Sequence, residues 1–282
     1  MLLKKIDQGK QFLEEHGDLF SCPKCRKAMI NKDYSLICRK QHRFDLAKKG
    51  TINFINHQIK TDYDKEMLSH RQKMIQIGLY EPLIQRILEA SQEVSVESVV
   101  DIGCGEGSFL KELTDKGLDG TKIGFDISKD GVALATSQDI DAFWCVADIT
   151  TLPFATHSMT HLLNIFSPSH YEEFRRVLKP GGRLIKVVPE ENYLKEMREV
   201  FYQDDKEKQT YSNEKVVTKF KEEMTLISQE RLTYQVPVPT ERQEDLLAMS
   251  PLKWGASPES LKKAQETPIE FITVDVLVLI GE

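Results

Sequence analysis

Val99-Val-Asp-Ile-Gly-Cys-Gly-Glu-Gly107, running on into Ser108-Phe-Leu110, decides the fold of this 282-residue chain. An apolar run enters a glycine-rich turn and leaves it as a helix. Glycines let a backbone turn sharply and approach a ligand closely. A dinucleotide loop is the rival reading, but the spacing is GxGxG rather than GxGxxG. Asp126 closes the next apolar run, Ile123-Gly-Phe-Asp126, where a carboxylate can hold both hydroxyls of a ribose. Asp148, in Cys145-Val-Ala-Asp148, follows the third run, where a carboxylate can accept from an adenine amine. Loop, ribose acid and adenine acid together point to S-adenosylmethionine (SAM), with Asp101, Gly103, Gly105 and Gly107 in the loop. The bland alternative is a tight turn beside two strand-ending acids.

Outward from the loop, apolar runs at 98–102, 122–126, 142–146, 160–166 and 183–188 alternate with helical stretches near 107–116, 129–137 and 169–178. Such alternation predicts a mostly parallel sheet with helices on both faces. Lys179-Pro-Gly-Gly182 reads as a turn before the fifth run. Two more strands are expected at 231–236 and 271–279, with a helical insertion over 240–266. Tyr80 to Ala90 reads as a helix with Leu83, Ile84, Ile87 and Leu88 on one face. Residues 1–18 suit a short amphipathic helix.

The N-terminal part carries different chemistry. Cys22-Pro-Lys-Cys25 and, twelve residues on, Cys38-x3-His42 supply three thiolates and an imidazole, a closed tetrahedral shell for a structural zinc ion. The alternative is a set of free buried thiols with a chance histidine. Such a short unit cannot hold itself with a core alone, so a metal is physically expected. The boundaries expected are 1–57 for the zinc module, 58–79 for a linker helix and 80–282 for the SAM domain.

Composition narrows the class. The chain is 40% hydrophobic and 29% charged, which is ordinary for a globular protein. The longest apolar stretch, 271–280, is interrupted by Asp275 and is too short to span a membrane as a helix. No apolar leader follows Met1, so a cytoplasmic protein is expected. The net charge of −6 hides a split: residues 1–60 carry 13 Lys+Arg against 6 Asp+Glu, net +7, and the remainder is −13. A basic cap on an acidic body suits a phosphate-seeking module, with Arg26, Lys27, Arg39, Lys40 and Arg43 held beside the zinc ligands for phosphate contacts. A merely solvated face is the alternative.

Across residues 80–282 the pattern resembles the class I SAM-dependent methyltransferases, an α/β fold with a seven-stranded, mostly parallel sheet. Phe20-Ser-Cys-Pro-x-Cys25, Ile37-Cys-x3-His-x-Phe-Asp-x-Ala-Lys-x-Gly50, Tyr80-x-Pro82, the loop 101–107, Leu178-Lys-Pro-Gly-Gly182 and Met249-Ser-Pro-Leu-Lys-Trp254 narrow the likeness. Together they resemble the bacterial 23S rRNA (guanine-N1)-methyltransferases, over nearly the whole chain from residue 20. The resemblance implies a guanine in the rRNA hairpin lining the peptide exit tunnel as substrate, at position 748 in preference to 745, with a link to tylosin-type macrolide resistance. It also implies cofactor contacts at Tyr80, Gly105 and Glu106. Tyr193 falls where the other branch has a histidine over the cofactor, and an aromatic ring there can pack on adenine or the sulfonium. The residues before 19 look like an addition to the family core.

The implied reaction is transfer of the sulfonium methyl to guanine N1. The base must be extruded from its stack, and N1 must lose a proton. A base or a donor aimed at O6 is therefore wanted, and the sequence does not name it. Asn164, in His161-Leu-Leu-Asn-Ile-Phe-Ser-Pro168, ends the fourth run, where it could orient the target while Phe166 stacks on it. The plain alternative is a turn cap and a core ring. His161 and His170 are candidate bases, each more often structural. A small-molecule methyltransferase would share the SAM core without needing a basic zinc module. A non-catalytic RNA-binding protein would share the module without needing an intact pocket. Nothing in the sequence reads as an interface between subunits, and a homodimer stays open.

Overall fold

The computed structural model describes residues 3–55, 63–203 and 205–282. The module boundary expected at 57 and the first residues of the linker lie outside them. The N-terminal part contains α1 (Lys5–His16), β1 (Met29–Lys32), β2 (Ser35–Cys38), β3 (Arg43–Asp45) and β4 (Ile52–Asn53). Next come α2 (Lys65–Gln76), α3 (Glu81–Gln92), β5 (Ser98–Ile102), α4 (Ser108–Asp115), β6 (Thr121–Asp126), α5 (Lys129–Ala135) and β7 (Phe143–Val146). They are followed by β8 (Met159–Ile165), α6 (Tyr171–Val177), β9 (Leu178–Pro189), α7 (Lys195–Phe201), α8 (Lys206–Gln209) and α9 (Glu214–Glu223). The chain ends with β10 (Leu226–Pro237), α10 (Gln243–Ala248), α11 (Pro258–Glu266) and β11 (Phe271–Gly281). Among the described residues no helix is long and apolar enough to cross a membrane.

The main sheet has the order β10-β11-β9-β8-β5-β6-β7-β4. Strands β4 to β9 run parallel in it, β11 is antiparallel to β9, and β10 to β11. Every residue of β5 is buried, as expected of a strand covered on both faces. From β5 the chain winds outward through β6 and β7, then returns to lay β8 and β9 on the other side. That reversal opens a crevice at the carboxyl ends of β5 and β8, the general ligand position in open α/β sheets. Helix α3 carries Pro82 in its first turn, a position that suits proline, and buries Leu83, Ile84, Ile87 and Leu88.

Seven strands come from 98–281, as the sequence implies. The eighth, β4, comes from the zinc-ligand segment: Ile52 pairs with Cys145 and Asn53 with Val146. The module does not stand on its own core. Leu13, Phe20, Leu36, Phe44, Ile52 and Phe54 share one apolar cluster with Val100, Ile123, Phe125, Phe143, Phe154 and Leu162 of the sheet. Helix α1 belongs to this seam, with Phe12 stacked 4.8 Å from Phe143.

Two local readings differ from the sequence. Lys179-Pro-Gly-Gly182 is a bulge inside one continuous strand rather than a turn before it. Met159 pairs with Leu178 and His161 with Arg183, so the four residues loop out, with Gly181 left-handed at φ 76°. Helices α7, α8 and α9 occupy a stretch for which the sequence pattern gives no element.

Arg26, the residue after Cys25, leaves the knuckle to grip the sheet domain. Its guanidinium donates to both oxygens of Glu173 at 2.8 Å and to the Leu152 carbonyl at 3.2 Å. Glu173 is 3% exposed and also accepts from Arg176 and from the Leu152 amide. Burying one carboxylate among three partners makes its loss expensive, because two guanidinium groups lose their acceptor. Glu173→Ala is therefore expected to lower unfolding stability by about 3 kcal/mol, read by urea denaturation, while an Ala at exposed Glu222 changes it little.

Candidate active site and metal centre

Two knuckles bring Cys22, Cys25, Cys38 and His42 together, their ligand atoms all within 4.8 Å of one another. The first closes with the amides of Cys25 and Arg26 on the Cys22 carbonyl. The second closes with the Gln41 amide on the Cys38 carbonyl. Arg26 and Gln41 take the same left-handed turn, at φ 58° and 62°. Cys25 Sγ lies 3.7 Å from Cys38 Sγ, and Cys22 Sγ lies 3.3 Å from His42 Nδ1. A tetrahedral zinc shell with Zn–S near 2.3 Å places neighbouring sulfurs about 3.8 Å apart, so the donor set fits zinc. Burial pushes the Cys22 thiol up to about 11, a penalty that a bound cation removes.

The basic residues around the knuckles divide. Arg26 is committed to Glu173, and Arg43 pairs with Asp45 at 2.6 Å. Lys27, Arg39 and Lys40 are exposed, and none has an ion-pair partner among the described residues. The sequence expectation of five phosphate-facing cations thus shrinks to these three.

The glycine loop folds as its residue types require. Gly103, Gly105 and Gly107 all have positive φ, at 71°, 54° and 84°. A Cβ on Gly103 would lie 2.7 Å from Ser167 Cβ, and one on Gly107 would lie 2.7 Å from the Trp144 ring. Gly107 caps α4. Asp126 accepts from the Gly105 amide at 2.8 Å and the Ser128 amide at 2.7 Å, which ties the end of β6 to the loop.

Three carboxyl groups crowd here without an ion pair among the described residues. Burial pushes Asp101 up to about 8, and the charges of Glu106 and Asp126 add to the shift. Burial also raises Glu106 and Asp126. Asp101 Oδ2 is buried and has no hydrogen-bond partner. An unpaired buried carboxyl beneath a glycine loop is a fit for a ligand bearing an ammonium group.

Two cavities open above this loop. One, of about 270 Å³, is lined by Gly103, Gly105, Asp126, Ser128, Ala147 and Ile149 among others. The other, of about 400 Å³, is walled by Tyr80, Phe109, Tyr193, Tyr202, Tyr211 and the segment 249–252. Tyr63, Arg71 and Phe166 line both. A larger void, about 830 Å³, lies between α1 and the starts of β6 and β7. It holds none of the sequence-predicted site residues.

Tyr80 and Tyr193 meet through their hydroxyls at 2.5 Å, in the second cavity rather than the first. Phe166 packs on both, at 5.6 and 5.2 Å. It holds a left-handed φ of 53°, rare for a bulky side chain and concentrated at functional sites. Asp148 caps a 3-10 turn, accepting from the Thr150 amide at 2.8 Å and hydroxyl at 2.7 Å, while its neighbours Ala147 and Ile149 face the first cavity.

Asn164 lies elsewhere than expected. It is fully buried and lines neither cavity. Its amide donates to Ser167 Oγ at 2.5 Å and the Pro168 carbonyl at 2.8 Å, and its Oδ1 accepts from Lys186 and Ser169. Every hydrogen-bonding position is spent on Lys186 of β9 and on the loop that follows β8. Asn164 therefore shapes that loop and cannot touch a base. Lys186 is 2% exposed, and burial lowers it to about 8. The candidate bases also fail on geometry. His161 is wholly buried within β8, held down to about 4 by burial, and His170 caps α6. Sequence reasoning missed Arg71 and Tyr63, which no motif marks.

The Asp101 environment has a measurable consequence. Its carboxyl is protonated below about pH 8, whereas a bound ammonium group favours the ionised form. SAM binding at pH 7 is thus expected to release close to one proton, seen as a dependence of calorimetric enthalpy on buffer ionisation heat. Asp101→Asn should abolish that release and weaken binding at least tenfold.

Family profiles described as "Methyltransferase domain" and "RlmA, N-terminal" match residues 100–186 and 20–62. The chain is 38% identical over 275 residues to YxjB of Bacillus subtilis (strain 168), named as a candidate 23S rRNA (guanine-N(1)-)-methyltransferase, covering 93% of this chain and 96% of YxjB. It is 28% identical over 267 residues to the 23S rRNA (guanine(748)-N(1))-methyltransferase of Streptomyces fradiae, covering 90% and 93% of the two chains. A solved candidate methyltransferase from an antibiotic biosynthesis pathway of Anabaena variabilis ATCC 29413 superimposes with a TM-score of 0.52 at 12% identity. It covers 71% of this chain and 96% of its own, a likeness of fold alone.

Proposed function

This chain belongs to the 23S rRNA (guanine-N1)-methyltransferases, and on that premise we propose that it moves a methyl group from SAM to N1 of a guanine in the exit-tunnel hairpin of 23S rRNA, at position 748. One observation carries the reading: a small cavity above the glycine loop shares Tyr63, Arg71 and Phe166 as wall with a larger one lined by aromatic rings. The first suits a nucleoside cofactor and the second an extruded base, which aromatic faces hold by stacking. The reading includes a cytoplasmic site of action, where rRNA is found.

When bound, SAM supplies an electrophilic methyl on a sulfonium. Asp101 takes its ammonium group, Asp126 its ribose, and the backbone of Gly103 to Gly107 its close approach. Asp148 and the neighbouring 3-10 turn border the adenine, and Glu106 adds negative charge beneath the loop. Tyr80 and Tyr193 offer ring faces to the sulfonium side. Asn164 acts through the loop it braces, as a positioning residue that sets the conformation of Phe166. Zinc, held by Cys22, Cys25, Cys38 and His42, fixes the module that presents Lys27, Arg39 and Lys40 to phosphates.

Primer extension on large-subunit rRNA from a gene-deletion strain tests this directly. Incubation with protein and SAM should create a new reverse-transcriptase stop in the tunnel hairpin, because an N1-methyl blocks the Watson–Crick edge. No stop anywhere, with SAM bound, would favour a small-molecule substrate. The cap is tested separately by Lys27→Glu with Arg39→Glu and Lys40→Glu. SAM affinity should be unchanged, RNA affinity should fall at least tenfold, and the slope of log affinity against log salt should flatten by about 2 to 3.

A further inference from the structure

The acceptor cavity poses a chemical problem. Guanine N1 carries a proton that must leave before its lone pair can take a methyl group. Among the described residues, no carboxylate and no imidazole lines that cavity. Besides Arg71, Arg198 and Lys208, its titratable neighbours are tyrosines, and burial raises Tyr80 and Tyr193, which keeps both phenols neutral. A side-chain base for N1 is therefore not offered, and the remaining route is to make the N1 proton easier to lose.

Three cations line the cavity: Arg71, Arg198 and Lys208. Arg198 donates to the Glu191 carbonyl, and Lys208 pairs with Asp205 at 3.2 Å. Arg71 alone of the three also lines the cofactor cavity. Its Nε is pinned to the Met249 carbonyl at 3.2 Å, which fixes the fork against the acceptor wall. Among the described residues its terminal nitrogens have no protein acceptor, and its guanidinium lies 5.8 Å from the Tyr63 ring centroid. The titratable groups that feel it are Glu106 and Asp126 on the cofactor side and Tyr80 and Tyr193 on the acceptor side. Asp245, on α10 packed against its helix, is already taken by His70, Lys73 and Arg242.

We propose that Arg71 grips O6 and N7 of the extruded guanine and thereby both selects guanine and drives loss of its N1 proton. Arginine fits the O6/N7 edge bidentately, and that grip leaves N1 open toward the donor cavity. Adenine presents an amine where guanine presents O6, so it faces a donor with a donor. Losing the N1 proton to solvent puts negative charge largely on O6, where a guanidinium hydrogen bond is strongest. The N1 lone pair then takes the methyl carbon, the carbon–sulfur bonding pair stays on sulfur, and neutral N1-methylguanine and a thioether result.

The inference rests on the rRNA reading above, and its test keeps the two apart. Zinc-loaded full-length protein, wild type and with Arg71→Gln or Arg71→Lys, is mixed in single turnover with unmodified large-subunit rRNA and SAM across pH 6.5 to 9.5. SAM affinity is measured by calorimetry on the same samples. The expected result is a SAM dissociation constant within about threefold of wild type. At pH 7 methyl transfer should fall about tenfold to a hundredfold for Arg71→Gln, less for Arg71→Lys. The rising limb of log rate against pH should move upward by about one unit or more, so the gap narrows at high pH. Asp101 and Lys186 titrate in this range but are present in every variant, so the displacement between profiles reports Arg71. If SAM affinity falls by the same factor as the rate and the limb stays in place, Arg71 holds the cofactor carboxylate and the proposal is overturned. If the wild type binds SAM and modifies no guanine at any pH, the rRNA reading itself fails and takes this one with it.

Discussion

An electrostatic deficit beneath one loop governs the site. Asp101, Glu106 and Asp126 are drawn together under Gly103 to Gly107, and none forms an ion pair among the described residues. Burying unpaired carboxyl groups is unfavourable, so the fold must impose the arrangement. It does so through backbone. Asp126 is tied to the Gly105 and Ser128 amides, and Gly103 and Gly107 sit where a Cβ would collide with Ser167 or Trp144. The same left-handed turns that admit a ligand therefore also force the acids inward. A cationic cofactor is the natural relief, which is why the geometry is better suited to SAM than to an anionic dinucleotide.

The zinc module answers a second constraint. Cys22 and Cys38 are buried, yet much of the apolar surface around them faces the sheet domain rather than the module itself. Phe20 packs on Phe143 and Phe154, β4 adds a strand beside β7, and Arg26 reaches Glu173. Metal and sheet thus stabilise one seam from two sides. Glu173 also holds the Leu152 amide, three residues from Ile149 in the wall of the smaller cavity, so knuckle and cavity are joined through a short run of chain.

The parts legible in sequence were those where one residue type has one physical reason. Glycines at left-handed positions, acids at strand ends, cysteines at knuckle spacing and alternating apolar runs all specify local structure. What stayed hidden depends on which face a residue presents or on distant partners. Asn164 has the right type at the right strand end, but Lys186 and the loop 165–169 cover it. Arg26 looks like one more basic residue beside zinc until α6 supplies Glu173. Arg71 lies on an amphipathic helix with no motif, and only the packing of α2 against the 249–252 segment brings it between two cavities. Helices α7 and α8 span only 7 and 4 residues, too short for a periodic pattern to stand out, and α9 buries only Phe220.

The shared core also bears on how the substrate base is chosen. A recognition module on a free linker would let many bases reach the cavity, with selection left to the pocket alone. Here β4 and the aromatic seam around Phe20 fix the module against the sheet, so Lys27, Arg39 and Lys40 stand at a set displacement from the cavity mouth. Phosphate contacts carry no sequence information, but they fix register on an RNA. On the proposed reading, rigid register would convert a nonspecific grip into a distance rule, and the base lying at that distance would be the one delivered. Discrimination within the pocket then needs only to reject a wrong base at the right place, a task that a single bidentate donor pair can perform.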